Sequence, residues 1–183
     1  MNVAVCAYGA GNVRSVVAAF GQLGADARVT SRPADVAAAD LAVLPGVGSA
    51  ASAMAGLGER GLDDALRDRV ASGGATLGIC LGLQLALEES EEDGGVAGLG
   101  IIPGRAVRIA EGRVPRIGWA RVEPSGEAFY FAHSYAAETP AGTASSEGIV
   151  AIAEAGSFLG VQFHPEKSGA AGARMLERCL SRV

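Results

Sequence analysis

The sequence predicts an α/β fold with a mostly parallel sheet, helices on both faces and a β-rich extension in the second half. Two observations lead to this prediction. Apolar segments alternate with helical segments through the first half of the chain, and the apolar segments are continuous runs without two-residue alternation. Such strands are typical of parallel sheets that helices cover on both faces. Ligand sites then gather at the carboxyl ends of the strands.

The first half begins with a short apolar strand, NVAVCA, which leads into the glycine-rich loop YGAGN. A helix follows and stops at Gly24, with apolar residues recurring at helical spacing: Val13, Val16, Val17, Phe20 and Leu23. DARVT predicts the second strand, and Pro33 begins a short Ala-rich helix. These segments form the first strand and helix units of the sheet.

Two further strands complete this half. LAVL runs into the loop PGVGS, and ATLGI reaches Cys80 just before the helical segment LGLQLALEES. Between these strands, a helix ending at Gly73 is marked by Leu62, Leu66 and Val70. PGVGS and Cys80 therefore both follow predicted parallel strands.

From about Gly100 the pattern changes to short β-type segments separated by Gly, Pro and Ser: AVRIA, GWARV, AFYFAHSY, GIVAIAE and FLGVQF. A final helix is predicted around AGARMLERCL. No linker, repeat or low-complexity tract separates the halves. We therefore expect a single domain over residues 1–183.

Composition and charge exclude several classes of protein. A hydrophobic content of 49% excludes a disordered chain, and a net charge of −5 without an Arg cluster argues against nucleic-acid binding. GxxxxGK[ST] is absent, neither glycine loop completes GxGxxG before a helix, and no Cys/His/Asp cluster has metal-ligand spacing. No nucleotide, metal or other cofactor is predicted.

The three cysteines, Cys6, Cys80 and Cys179, lie far apart without a CxxC pair, which favours a reducing cytoplasm over a disulfide framework. Cys6 and Cys179 lack glycine neighbours and a nearby acid or base, so both are interpreted as packing residues. The beginning of the sequence lacks the features of a signal peptide. The longest uncharged run, 41–58, contains a proline and four glycines, which interrupt a membrane-spanning helix.

Cys80 is the strongest candidate nucleophile, because GICLG places it between Gly78 and Gly82 at a predicted strand-to-helix junction. This is the pattern of a nucleophile elbow with Cys in place of Ser. Small neighbours let the strand, the helix and a substrate approach closely at a strained turn. The following helix N-terminus favours a thiolate and offers the Leu81 amide to an oxyanion. The alternative is a buried structural cysteine.

The chain has two histidines, His133 and His164, and thus two candidate bases for Cys80. His164 has the better context. It ends the strand FLGVQF, Pro165 prevents continuation, and Glu166 follows closely enough to orient the imidazole and stabilise its charged form. His133 in YFAHSY is interpreted as a structural or substrate-pocket residue.

Three segments, PGVG, GICLGLQL and VQFHPEKSG, occur together and in this order. Together they resemble the class I glutamine amidotransferases, in which the Cys, the His of HPE and the Glu two residues later form a catalytic triad. The resemblance implies the class I glutamine amidotransferase fold. It also implies that Cys80 attacks the side-chain amide of L-glutamine, that His164 passes a proton to the leaving ammonia, and that Glu166 holds His164.

Within that class, the chain resembles the glutaminase subunits of imidazole glycerol phosphate synthase along nearly its whole length, in YGAGNVRSV, PGVGSA, IGWARV, FYFAHSY and FHPEKSGAAGARML. PGVG is the discriminating segment, because anthranilate and GMP synthase amidotransferases typically carry a different glycine-proline pattern there. The resemblance places the oxyanion hole at the Leu81 amide and at Val47 and Gly48 of this loop. The Val47 amide would have to turn inward, which the flanking glycines permit.

By position, the resemblance implies four substrate contacts: Gly48, Gln84, Ser134 and Tyr135. Four other positions are implied to face a partner, the (β/α)8 cyclase subunit: Asn12, Trp119, Tyr130 and Lys167. Lys167 is the only lysine of the chain, which is consistent with an interface ion pair. The sequence departs from the family at three positions that bear on signalling across the interface. Ala7 stands where Asp is frequent, Arg116 where His is frequent, and Ala120 where Asn is frequent.

The resemblance thus implies a heterodimeric enzyme subunit that releases ammonia from glutamine for the cyclase subunit. In histidine biosynthesis that subunit forms imidazole glycerol phosphate and an aminoimidazole carboxamide ribotide. Two alternatives stay open at this stage. One is a glutaminase subunit serving anthranilate or aminodeoxychorismate synthesis, and the other is a non-catalytic scaffold that keeps the fold and binds a partner.

Overall fold

A computed structural model describes residues 1–9 and 12–182, and in these residues six α-helices surround a central seven-stranded sheet. The strands are β1 (Asn2–Cys6), β2 (Asp26–Thr30), β3 (Leu41–Leu44), β4 (Thr76–Ile79), β5 (Glu89–Ser90), β6 (Val96–Ala97), β7 (Arg105–Arg108), β8 (Arg116–Val122), β9 (Glu127–His133), β10 (Tyr135–Glu138), β11 (Gly142–Ser146), β12 (Ile149–Ala155) and β13 (Phe158–Val161). The helices are α1 (Val13–Gln22), α2 (Pro33–Ala38), α3 (Ala50–Gly58), α4 (Leu62–Ala71), α5 (Leu81–Ala86) and α6 (Gly169–Leu180). Ala10 and Gly11 of the predicted loop YGAGN lie outside the described residues.

The central sheet has the strand order β11-β12-β13-β4-β3-β1-β2. Its five strands from β13 to β2 pair in parallel, and β12 and β11 add to the edge in antiparallel pairing. The predicted mostly parallel sheet is confirmed. The β-rich second half completes this sheet, since β13 lies between β4 and β12. The remaining strands form the hairpin β8-β9 and a four-stranded sheet, β10-β7-β5-β6, in which β7 and β10 of the second half join the short β5 and β6 that precede Gly100.

Two apolar cores lie on the two faces of the central sheet. One joins alternate residues of β1, β3, β4 and β13 to α1 and α6, through side chains such as Phe20 and Leu176. The other packs α2, α3, α4 and α5 against the opposite face, through residues such as Leu57 and Leu66. All four residues are buried in each of β3, β4 and β13, as their continuous apolar sequences require.

Cys6 and Cys179 lie one in each core, as packing residues. Burial raises the pKa of each thiol to about 12, so both stay protonated at neutral pH. Among the described helices, none combines the length and hydropathy that a bilayer crossing requires.

The helix after Cys80 is shorter than the sequence predicts, because α5 ends at Ala86. The Ala86 carbonyl accepts N–H groups from Ile101 and Ile102, and the neighbouring Leu85 and Leu87 carbonyls accept from the same distant segment. The predicted helical residues Glu89 and Ser90 instead form β5. Long-range hydrogen bonds therefore replace the last turn of the predicted helix.

Candidate active site

Cys80 lies at the junction between β4 and α5, as predicted, with φ of +53°. A positive φ is rare for a residue with a side chain, so the backbone is strained at this position. The glycines on either side make the junction possible. A Cβ on Gly82 would overlap the Leu44 carbonyl oxygen, and a Cβ on Gly78 would lie 2.8 Å from Phe158 Cζ. The turn thus packs directly between β3 and β13.

His164 follows β13, the neighbour of β4, so the carboxyl ends of two adjacent parallel strands bring it towards Cys80. The register places Val161 opposite Ile79, and the Cys80 N–H donates to the Val161 carbonyl at 2.7 Å. His164 Nδ1–H donates to Glu166 Oε1 at 2.9 Å, and each of these two side chains is 2% exposed. The other ring nitrogen, Nε2, is therefore the one available to hydrogen-bond with Cys80.

Burial alone would lower the pKa of His164, but the opposite effect of Cys80 and Glu166 is larger. Hydrogen bonds to Cys80 and Glu166, together with the negative charges of both groups, raise the pKa to about 9. The imidazole therefore holds a second proton at neutral pH and can act as a general acid.

The backbone of His164 is fixed by β9. Its N–H donates to the Tyr130 carbonyl at 2.8 Å, and its carbonyl accepts from Ser168 Oγ at 2.6 Å. Ser168 Oγ also accepts the Tyr130 N–H at 3.0 Å. Because Ser168 is buried, these three hydrogen bonds lock the peptide groups of Tyr130 and His164 together.

The PGVG loop follows β3 and lies against the Cys80 turn on the side opposite β13. A Cβ on Gly46 would lie 2.5 Å from Leu81 Cβ and 2.8 Å from the Gly82 nitrogen. Gly48 has φ of +110°, and the Val47 side chain is exposed. The buried Tyr8 hydroxyl donates to the Pro45 carbonyl and so anchors the start of the loop, a role that the sequence did not predict.

A cavity of about 230 Å³ opens beside the Cys80 sulfur. It brings together seven residues predicted from the sequence: Val47, Gly48, Cys80, Leu81, Gln84, Ser134 and Tyr135. Its wall also includes Gly46, one of the two glycines that flank Val47, and four residues to which the sequence analysis assigned no site role: Glu92, Pro115, Ile117 and Ala132. His133, predicted to be a structural or pocket residue, completes the wall.

His133 and Gln84 share one acceptor, the Tyr135 carbonyl. His133 Nδ1–H donates to it at 2.8 Å, and Gln84 Nε2 donates at 2.7 Å. Burial lowers the pKa of His133 to about 4, and the positive charges of Arg116 and His164 act in the same direction. His133 is therefore neutral at physiological pH, in contrast to His164.

Glu92 is a site residue that sequence reasoning missed. Its Oε2 accepts the Ala50 N–H at 2.8 Å, and the neighbouring Asp93 accepts the Ala51 N–H at 3.2 Å. The two carboxylates thereby cap α3, the helix that follows the PGVG loop. Burial raises the pKa of Glu92. No local signal marks this residue, because it belongs to an acidic run typical of a solvated surface.

Three of the four predicted interface residues form one cluster. Trp119 is 59% exposed and packs edge-on against Tyr130 with ring centroids 6.2 Å apart, and Lys167 Nζ lies 5.8 Å from the Tyr130 ring centroid. Asn12 lies at the start of α1, where its side chain accepts a hydrogen bond from Ser15 at 3.0 Å.

Arg116, which stands where the family frequently has His, makes several contacts near this cluster. Its guanidinium lies 4.2 Å from the Phe131 ring centroid and donates to Ser146 Oγ at 2.7 Å and to Glu147 at 3.0 Å. The substitution therefore brings a fixed positive charge close to His133. Nothing in the structure explains the alanines at positions 7 and 120.

A cysteine on a strained strand-to-helix turn beside a histidine–glutamate pair, on this mostly parallel sheet, defines a class I glutamine amidotransferase. The family model for the class I glutamine amidotransferases matches residues 4–183, and the chain belongs to this family. The family resemblance and the fold class predicted from the sequence are confirmed.

Within this family, two similar relatives carry the name of the same enzyme subunit. Imidazole glycerol phosphate synthase subunit HisH of Methanothermobacter thermautotrophicus is 47% identical over 190 residues, which cover 95% of each chain. The subunit of the same name from Symbiobacterium thermophilum is 43% identical, covering 95% of this chain and 91% of that relative.

Solved structures share the fold. A crystal structure of a glutamine amidotransferase aligns with a TM-score of 0.83 at 23% identity, covering 98% of this chain and 97% of the other. The structure of PurLQS from Thermotoga maritima aligns with a TM-score of 0.72 at 16% identity, covering 99% of this chain and 98% of the matched chain. At these levels of sequence identity, the alignments show a shared fold and nothing about function.

Proposed function

We propose that this chain is the glutaminase subunit of imidazole glycerol phosphate synthase, which hydrolyses L-glutamine and passes ammonia to a (β/α)8 cyclase subunit. The observation that carries the proposal is the meeting of Cys80 with the His164–Glu166 pair at the carboxyl ends of β4 and β13. The names of relatives that cover nearly the whole chain support the choice of subunit.

Acylation begins when the Cys80 sulfur attacks the side-chain amide carbon of glutamine. The carbonyl oxygen becomes an oxyanion, which the Leu81 amide and the inward-turned Val47 amide stabilise. Leu81 is the first residue of α5, so its N–H has no acceptor within the helix. Gly48, already at a positive φ, permits the peptide rotation that turns Val47 inward.

Proton transfer is the task of His164. Because its pKa is raised, the His164 imidazole is protonated at neutral pH and donates a proton to the leaving nitrogen. Ammonia then departs as the C–N bond breaks and the thioester forms. The neutral imidazole then takes a proton from water, which attacks the thioester. Glutamate is released and the Cys80 sulfur is regenerated, while Glu166 keeps the ring in one orientation throughout.

Substrate binding uses the polar wall of the cavity. Both N–H groups of Gln84 are occupied, by the Tyr135 carbonyl and by Gln162, so Gln84 offers its amide oxygen to the substrate. Gly48, Ser134 and Tyr135 complete the predicted contacts. Glu92 adds a carboxylate on the same wall, which suits the ammonium group of an amino acid.

The partner binds the cluster of Trp119, Tyr130 and Lys167 together with Asn12, which lies at the start of α1. An exposed Trp, an aromatic partner and the single Lys have the composition of an interface hot spot with an ion pair at its edge. The cyclase uses the ammonia to form imidazole glycerol phosphate and an aminoimidazole carboxamide ribotide.

The heterodimer is proposed to work in the cytoplasm, which suits three unpaired cysteines. We also propose that residues 1–183 form one glutamine amidotransferase domain, since β13 from the second half is inserted beside β4 of the first.

The proposal is tested by measuring glutamine hydrolysis with and without the cyclase subunit and its nucleotide substrate. We expect slow hydrolysis by the isolated chain and a large increase in the complex. Cys80→Ala should abolish glutamine-dependent turnover and leave ammonia-dependent synthesis intact, while the control Cys6→Ala should retain both. An unchanged rate in the complex would exclude this partner, and equal loss of both activities in Cys80→Ala would exclude the nucleophile.

A further inference from the structure

Gln162 is a polar side chain that is 0% exposed, in the segment that joins β13 to His164. Buried amide groups are nearly always hydrogen-bonded, because an unpaired one costs about 1–3 kcal/mol. The side chain of Gln162 finds its partners in Gln84 and Cys80. Neither contact is needed to build the sheet.

The direction of these hydrogen bonds follows from the first acceptor. The Tyr135 carbonyl can only accept, so the amide group of Gln84 must turn its NH2 towards it, at 2.7 Å. The same NH2 group of Gln84 reaches Gln162 Oε1 at 3.1 Å. The oxygen of Gln162 is thereby committed to Gln84. Its NH2 group must face the other way, towards Cys80 Sγ at 3.6 Å.

We propose that Gln162 is a positioning residue for the nucleophile, which donates a side-chain N–H to the Cys80 sulfur and stabilises it as a thiolate aimed at the substrate. This inference rests on the proposed role of Cys80 in glutamine hydrolysis. A distance of 3.6 Å between Nε2 and Sγ suits an N–H donor to sulfur, whose radius exceeds that of oxygen. The Ala132 carbonyl lies 3.9 Å from the same sulfur.

The chain of hydrogen bonds also joins the nucleophile to the substrate cavity. Gln84 lines the cavity and its NH2 group determines which way Gln162 points. A substrate that engages the oxygen of Gln84 strengthens the polarity of that amide and, through Gln162, of the donor that faces the sulfur. Occupancy of the cavity and the state of the nucleophile are therefore linked.

Alkylation of Cys80 by iodoacetamide tests the proposal without glutamine or a partner. Cys80 lines the cavity, whereas Cys6 and Cys179 are buried in the two cores with pKa values of about 12, so Cys80 is the thiol that we expect to react with iodoacetamide. Gln162→Met keeps the volume and removes the donor, and Gln22→Met at an exposed position of α1 is the matched control. His164 and Tyr8, the titratable groups that act on Cys80, remain in both variants.

We expect Gln162→Met to slow alkylation at pH 7 about tenfold and to raise the pH midpoint of the reaction by about one unit, as loss of a hydrogen bond to a charged group predicts. The control should match the wild type. A lowered thermal midpoint with an unchanged alkylation profile would mean that Gln162 is purely structural, and would overturn the proposal.

A second measurement uses the wild-type protein, so it does not depend on the variant folding. The chain has three glutamines, Gln22, Gln84 and Gln162, and selective ¹⁵N labelling gives three resolvable side-chain amides. The Gln162 amide protons should shift through the same pH midpoint as Cys80 alkylation, and the Gln22 protons should not. A pH-independent Gln162 signal would overturn the proposal. Failure of the proposed function is a separate result, since it appears as glutamine hydrolysis by Cys80→Ala.

Discussion

The two histidines should titrate far apart, and this is the sharpest test of the site's electrostatics. The pKa of His133 is lowered from 6.5 to about 4 and that of His164 is raised from 6.5 to about 9. The two imidazoles are the only ones in the chain, so an NMR titration with labelled histidine shows two resolvable transitions. The His133→Gln variant assigns the acidic transition.

Each change in pKa corresponds to roughly 3 kcal/mol, at about 1.4 kcal/mol per pH unit. His164 has a raised pKa in the folded state, so its contribution to the free energy of unfolding is fully present below pH 6.5 and is lost as the pH rises through about 9. His133 has a lowered pKa, so its neutral form contributes above pH 6.5 and this contribution is lost as the pH falls through about 4. These two groups alone therefore favour maximal stability near pH 6.5.

The perturbation that tests the cause is Glu166→Gln, which keeps the shape of the side chain and removes its charge. The titration of His164 should move down towards its ordinary value, while that of His133 should stay in place. Urea unfolding of the variant should show a smaller loss of stability between pH 6.5 and 9 than the wild type shows. If His164 titrates near 6.5 in the wild type, or does not respond to Glu166→Gln, the ion-pair account of the site is wrong.

Three further outcomes are expected. Gly82→Ala should lower the thermal midpoint by several degrees, because a Cβ would meet the Leu44 carbonyl and overpacking costs about 1–3 kcal/mol, whereas Gly21→Ala, with nothing within 4 Å, should be neutral or stabilising in calorimetry. Ser168→Ala should cost about 1–3 kcal/mol in urea unfolding and reduce kcat more than KM, since it frees the His164 backbone; an unchanged kcat would contradict this. Trp119→Ala should weaken binding to the cyclase subunit about tenfold or more by calorimetric titration, without changing the thermal midpoint of the isolated chain.

The sequence predicts the central sheet well because its signals are local. Continuous apolar runs followed by glycine-rich turns mark β3 and β4, and both runs are fully buried in the structure. The meeting of Cys80 and His164 follows from the same logic, since each residue comes shortly after the carboxyl end of a strand in one parallel sheet. The glycines around Cys80 have steric roles that the elbow pattern predicts.

Other features escaped prediction because distant residues decide them. Gln162 lies in the otherwise apolar run FLGVQF, and its partner Gln84 is 78 positions away. Tyr8 and Glu92 likewise act on the PGVG loop and on the helix after it across long separations. The early end of α5 at Ala86 depends on amides from Ile101 and Ile102, which no helical periodicity can reveal.

Tyr130 belongs at once to the exterior of the molecule and to its catalytic interior. Its ring stands beside Trp119 on the outside, while its peptide groups are bonded to the His164 backbone and to Ser168. Under the proposed function, a partner that holds the ring would also restrain the His164 backbone, because the hydrogen bonds with Tyr130 and Ser168 tie the two peptide groups together.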